Sequence, residues 1–368
     1  MCGITGFIGK SKDKNLSYQL LTKLFEKSES RGTDAAGFWA AECGFNGSVI
    51  YHKEPTRSSS FVKSRFWSGL SNFEVDLVIA HARGASKGVG EPFFNENNHP
   101  FTSNDKTIAL AHNGRIEDDE YYELRKNYEV STQCDSEILL RIFESTIKSN
   151  KTIVDRELES VKRIFSLIQF GHMAVATGIR QESGQRSLLL FRNEYRPLWI
   201  SDLREELGQV FFVSEPSIWE EACNECDSRL LSMCYKLIEV HPKEIWHLSL
   251  VDNTLSSNRY RLTLGDESEE VGEEFFTIPS GTPHFNLISK LDENDQIIRK
   301  ERSSLWSEYD LNSAEEYVAR IIEKAKNVEL ELRYAVNKET MEKELFEETI
   351  NQLKEIDNSI AKLLSHFF

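Results

Sequence analysis

The chain has 368 residues, is 39% hydrophobic and 28% charged, and carries a net charge of −16. That acidity disfavours a nucleic-acid backbone or an anionic membrane surface as a partner, since both select basic stripes. No run of about 18 apolar residues occurs, and the N-terminus lacks the basic segment and long apolar core of a signal peptide, so a cytoplasmic protein is expected.

The chain opens MCGITGFIGK, where Ile4, Phe7 and Ile8 suggest a short buried strand. Cys2 follows the initiator methionine directly. Removal of Met1 would give this side chain a free α-amino group on its own residue, a known way to activate a nucleophile. A small buried cysteine in a strand is the plain alternative. Residues 16–32 read as a helix with apolar residues at helical spacing, and so do residues 136–148. Residues 75–84, 106–114, 172–179, 187–192 and 209–216 read as strands that end in turn or polar residues. This mixture, with few strand–helix–strand alternations, favours α+β layers over a doubly wound sheet. Residues 249–264 read as a last hairpin around Asn253.

Cys223, Cys226 and Cys234 have the spacing C-x2-C-x7-C. No fourth ligand lies at a finger-like distance, so they are read as reduced thiols on or near a helix, and no metal is expected. The six cysteines, with Cys2, Cys43 and Cys134, are too sparse for a disulfide scaffold. Composition then changes. DESEEVGEE (266–274) holds six acids and no base, as a solvated linker would. From Ser313 the pattern is helical, opened by a capping box of Ser313 and Glu316. An apolar seam at heptad spacing runs from Val318 to Phe367 through the polar positions Glu339 and Glu342. A coiled coil and a helical hairpin fit this seam equally. The expected units are 2–264 as one domain, 265–312 as an acidic linker and irregular segment, and 313–368 as a helical tail.

Four further stretches bear on Cys2. RGTDAAG (31–37), HARGAS (81–86), AHNGRIED (111–118) and STQCDSE (131–137), in this order behind CGITGF, resemble the class II glutamine amidotransferases. Their glutaminase domain is an N-terminal-nucleophile hydrolase. RPLWI (196–200) and FFVSEPSIW (211–219) extend the resemblance over roughly residues 2–250. It implies a four-layer αββα sandwich with the helical stretch as a C-terminal extension, L-glutamine as substrate, and no cofactor.

The chemistry can be assigned residue by residue. A free cysteine is only a few per cent thiolate at neutral pH. The α-amine of Cys2 can take the thiol proton and return it to departing ammonia, while Gly3 lets the backbone approach closely. The tetrahedral oxyanion needs donors. The Asn113 side chain and the Gly114 N–H suit this role if the dipeptide ends a strand in a tight turn, although a plain Asn-Gly hairpin is common. The resemblance gives Arg83 the α-carboxylate of the substrate, with the Ser86 region completing that site, and gives Asp135 the α-ammonium. Asp135 could also cap the helix from Ser136. Arg31 is expected to support the catalytic loop. His81, His99 and His112 are expected to pack or fix loops, since the mechanism needs no histidine base. Two departures stand out: Gly84 where an aromatic residue is frequent, and Ser86 where threonine is.

About 100 residues follow this domain, too few for a synthase domain of usual size. The expectation is a glutaminase subunit that passes ammonia to a separate synthetase, bound through the C-terminal helices, with self-assembly through those helices as the other use. Two alternatives stay open: an N-terminal-nucleophile amidohydrolase acting on another γ-glutamyl or acyl amide, and a non-catalytic scaffold.

Overall fold

The computed structural model describes residues 1–44, 47–85, 90–147, 153–226 and 237–262, together with the backbone of Phe275–Thr277. Ser86, Cys234 and the helical tail lie outside the described residues.

Strand β1 (Gly3–Ile8) leads into helix α1 (Lys14–Lys27). The Asp13 side chain accepts the Leu16 N–H at 3.0 Å and so caps the helix. Leu16, Leu20, Leu21 and Leu24 form its buried stripe. The helix is shorter than the expected 16–32, because Ser28–Arg31 tighten into a 3-10 turn. Strands β2 (Ala35–Glu42) and β3 (Val49–Glu54), the short helices α2 (Ser58–Phe61) and α3 (Arg65–Leu70), and β4 (Val75–Arg83) follow. Next come β5 (Phe101–Thr102), β6 (Ile108–Arg115), α4 (Asp118–Arg125), α5 (Ser136–Ile147) and α6 (Ile153–Leu167). The remaining elements are β7 (His172–Arg180), β8 (Arg186–Arg192), β9 (Trp199–Leu203), β10 (Gln209–Val213), α7 (Pro216–Glu225), β11 (Leu237–Glu239), β12 (Glu244–Val251), β13 (Thr254–Arg261) and β14 (Phe275–Thr277). The five strands expected between residues 75 and 216 fall on β4, β6, β7, β8 and β10. The expected hairpin is β12–β13, turned by Asp252 and Asn253, both at positive φ (47° and 65°).

Among the described residues all strand pairs are antiparallel. One sheet has the order β11-β9-β10-β1-β4-β2-β3, the other β14-β13-β12-β8-β7-β6-β5. The sheets stack face to face. Ile4, Ile8, Trp39, Leu77 and Ile79 of the first meet Ala109, Ala174, Leu188, Leu190 and Leu248 of the second. Small residues let the sheets approach: a Cβ on Gly178 would lie 2.9 Å from both Ile79 and Trp39. The outer face of the first sheet packs on α1, α2, α3 and α7 through Phe38, Val78, Phe211 and Trp219. The outer face of the second packs on α4, α5 and α6 through Leu110, Val175, Leu189 and Phe143. This is the expected four-layer αββα arrangement. With both faces covered, successive residues of β4 bury on opposite sides, which is why VIA reads as an unbroken apolar run. Each fully buried Leu, Ile or Phe contributes about 1.5–3 kcal/mol relative to exposure. Among the described residues no helix is long and apolar enough to cross a membrane.

The Asn113–Gly114 pair corrects one expectation. It forms no turn. Both residues lie within β6, opposite Ala174 and Met173 of β7. Glycine is required at 114 by close approach, since a Cβ there would fall 1.7 Å from the His172 carbonyl oxygen. Cys223 lies on α7 in the apolar layer against the first sheet, and Cys226 follows the end of that helix.

Candidate active site

Cys2 immediately precedes β1, a central strand of the first sheet, and is buried. Its backbone N–H donates to Asn113 Oδ1 at 3.1 Å. Its carbonyl accepts from Arg31 Nε at 2.8 Å, and its thiol lies 3.7 Å from the Gly84 carbonyl oxygen. Three elements thus meet at this residue: the turn after α1, the end of β4, and β6 of the other sheet. Gly3 allows the first of these, because a Cβ there would be 2.8 Å from Ser28. Burial raises the Cys2 pKa, opposed by the Gly84 contact and the nearby arginines, so the thiol needs a proton acceptor before it can attack.

Asn113 is oriented by that contact. With its oxygen on the Cys2 N–H, its Nδ2 is buried and has no hydrogen-bond partner. A buried amide donor left unmade costs about 1–3 kcal/mol, so a ligand acceptor at this point is favoured.

Arg83, at the end of β4, is buried. It donates to Asn98 Oδ1 at 2.8 Å and to the Gly90 carbonyl at 2.7 Å. Asp135, just before α5, is also buried and accepts the Ile116 N–H at 2.8 Å. Its carboxylate thus reaches back to the segment after β6, while the Ile138 N–H binds its backbone carbonyl. The Cys134 sulfur joins the two, 4.0 Å from Arg83 Nη2 and 3.7 Å from Asp135 Oδ1. Burial, with Asp135 adding to it, pushes the Cys134 thiol up to about 12, which leaves it an uncharged spacer between opposite charges.

Arg31 is buried, forms an ion pair with Glu215 at the start of α7, and lies 3.7 Å through Nη2 from Met1 Sδ. His81 stacks on His99 at 4.1 Å and its Nε2 meets the His112 carbonyl at 3.1 Å. Burial lowers His81 to about 3 and His99 well below its ordinary value. His112 bonds to Ser136 Oγ at 2.8 Å and to the His172 carbonyl at 3.1 Å. All three therefore stay uncharged at neutral pH and brace the site.

Cys2, Arg31, Arg83, Asn113, Gly114 and Asp135 come together from five separate stretches. Sequence reasoning missed three residues. Asn98 orients Arg83, and its backbone carbonyl is held by Lys53. Glu215 balances Arg31. Arg196 Nη1 reaches Met1 Sδ at 3.7 Å. Glu215 and Arg196 stood inside quoted motifs as strand ends, and nothing local marked them.

The sandwich of two antiparallel sheets between helices thus places a cysteine just ahead of a central strand, with an asparagine side chain on its nitrogen. No protein-family model matches the chain. It is 28% identical over 305 residues to the glutamine–fructose-6-phosphate aminotransferase [isomerizing] of Bacillus anthracis, covering 81% of this chain and 44% of that enzyme. The enzyme of the same name from Clostridium perfringens (strain 13 / Type A) is 31% identical over 172 residues, 45% of this chain and 25% of the enzyme. Among solved structures, the glutamine phosphoribosylpyrophosphate amidotransferase from B. subtilis, complexed with ADP and GMP, aligns with a TM-score of 0.47. It is 22% identical and covers 70% of this chain and 49% of that one. Over the matched residues the chain is therefore similar to glutamine–fructose-6-phosphate aminotransferases, in line with the resemblance carried by its motifs. The chain spans less than half the length of the curated relatives it matches.

Proposed function

We propose that this domain hydrolyses L-glutamine to L-glutamate and ammonia through a thioester on Cys2, once whatever precedes Cys2 is removed. The observation that carries the reading is Asn113, whose oxygen holds the Cys2 nitrogen while its buried Nδ2 has no partner. One side chain thereby orients the base and offers a donor to the oxyanion.

The α-amine takes the thiol proton as Sγ attacks the side-chain amide carbon of glutamine. Collapse of the tetrahedral intermediate breaks the C–N bond, and the amine hands its proton to the leaving nitrogen, which departs as ammonia. Water then attacks the thioester. The amine takes a proton from that water and returns it to the thiol as glutamate leaves. Arg83 grips the α-carboxylate and Asp135 the α-ammonium, and Gly114 adds a backbone donor. The two charges flanking Cys134 favour a zwitterionic substrate over a plain acyl amide. Ammonia passes to a separate acceptor protein, with the heptad-patterned stretch 313–368 as the proposed contact.

The test is ammonia release from glutamine, with a diazoketone glutamine analogue as label. Mass analysis should place the label on Cys2 of protein lacking Met1. Label on another cysteine, or equal turnover of an amide without α-amino and α-carboxyl groups, would refute the assignment.

A further inference from the structure

Arg196 stands in the loop between β8 and β9, half-buried. Its Nη1 and the Nη2 of Arg31 converge on Met1 Sδ, each at 3.7 Å. A thioether is a weak acceptor, so Met1 does little to satisfy either group. The two arginines differ in what compensates them. Arg31 pairs with Glu215 and donates to the Cys2 carbonyl. Arg196 has no carboxylate within ion-pair distance among the described residues, and its Nε is enclosed without a hydrogen-bond partner. Its charge is therefore not cancelled locally and acts on whatever stands where Met1 was. After processing, the new chain end there is the α-nitrogen of Cys2.

We propose that Arg196 is a positioning residue that holds the freed α-amine of Cys2 in its uncharged form, so that the amine can accept the thiol proton at neutral pH. This rests on the glutaminase reading above. A neighbouring cation disfavours a second positive charge, which lowers the pH at which an ammonium gives up its proton.

The other groups around Cys2 leave this role to Arg196. Glu215 offsets Arg31. Arg83 is committed to Asn98 and the Gly90 carbonyl, and in the proposed complex to a carboxylate. His81 and His112 are uncharged because burial depresses both. His172 is lowered by burial and then by Arg196 itself, with Glu117 opposing. Asp135, the carboxylate that acts on His112, is turned to the Ile116 N–H.

The experiment is the pH dependence of kcat/KM for glutamine hydrolysis by mature wild type, Arg196→Met and Arg196→Lys. The acidic limb of Arg196→Met should move up by about 0.5–1 pH unit, a loss of about three- to ten-fold on that limb that disappears above about pH 9. Arg196→Lys keeps the charge and should keep the limb within about 0.3 unit of wild type. A uniform loss at every pH, or an unmoved limb, would overturn the proposal. A second readout needs no turnover: the pH midpoint for acylation of the α-amine in a Cys2→Ala background, followed by the mass of the N-terminal peptide. It should shift upward with Arg196→Met, and an unmoved midpoint overturns the proposal. If the midpoint moves but no form hydrolyses glutamine, the glutaminase reading fails and the effect on the amine stands.

Discussion

The backbone nitrogen of Cys2 and the side-chain oxygen of Asn113 lie 3.1 Å apart across 111 positions of sequence. One belongs to the entry of β1 in the first sheet, the other to β6 in the second. The contact exists because the sheets stack with these strands at the same end. It fixes the amide with its oxygen on the Cys2 nitrogen and leaves its buried Nδ2 without a hydrogen-bond partner.

Asn113→Ala removes that donor. Turnover should fall by about 10²–10³ with a smaller change in KM, because the interaction forms mainly in the transition state. Steady-state ammonia release measures it. Unchanged kcat would take Asn113 out of the oxyanion site.

Asp135→Asn and Arg83→Lys should act on binding. Loss of a charge-assisted contact to bound glutamine costs about 1.5–3 kcal/mol, or roughly ten- to a hundred-fold in KM, with a smaller effect on kcat. Asparagine at 135 retains an oxygen for the Ile116 N–H, so the fold should survive, and thermal denaturation checks this. A drop in kcat alone would contradict the assignment of both residues.

Gly84→Ala should distinguish the processed from the unprocessed chain. The added Cβ would lie 2.3 Å from the Met1 carbonyl oxygen and 2.9 Å from both the Met1 nitrogen and the Arg31 carbonyl oxygen. The Met1 contacts vanish on processing. Overpacking of this kind costs about 1–3 kcal/mol, so the substitution should lower the melting temperature of Met1-bearing protein more than that of the mature form. Producing the protein with and without a methionine aminopeptidase inhibitor gives the two forms. Equal shifts would mean that Arg31 alone sets the clash.

His81 should make the fold acid-sensitive. Burial lowers its pKa to about 3 in the folded state, against about 6.5 unfolded. The unfolded chain therefore binds the extra proton between these values, and stability falls as pH drops below about 6.5. At pH 5 this amounts to about 2 kcal/mol relative to pH 7. His81→Gln carries no such titration, so its loss of stability between pH 7 and pH 5 should be smaller by that amount. Urea denaturation at both values tests it, and parallel losses would argue against a neutral buried imidazole.

Much of the site is legible in the residues. The motifs around Cys2, Arg83, Asn113 and Asp135 carry chemistry whose residue types are restricted by the reaction; each is ambiguous alone, and they become legible when read together in order. The strands around them are legible because β4, β6, β7, β8 and β10 bury both faces and read as apolar runs. The Asn113–Gly114 pair was misleading. Asn-Gly is a turn signal locally, but here the glycine answers a tertiary demand, the approach of the His172 carbonyl to β6.

By itself the sequence determined the layered class and singled out Cys2 as candidate nucleophile together with the polar groups that a glutamine site would require, because periodicity and reactive side chains are local properties. Only the tertiary structure decided which partner each group has. It put Asn98 on Arg83, Glu215 on Arg31, the Cys134 sulfur between Arg83 and Asp135, and Arg196 beside Met1 with no carboxylate partner among the described residues. These pairings cross strands and loops far apart in the chain. They follow from how two sheets stack, and the electrostatics around Cys2 depends on them because burial strengthens every uncompensated charge.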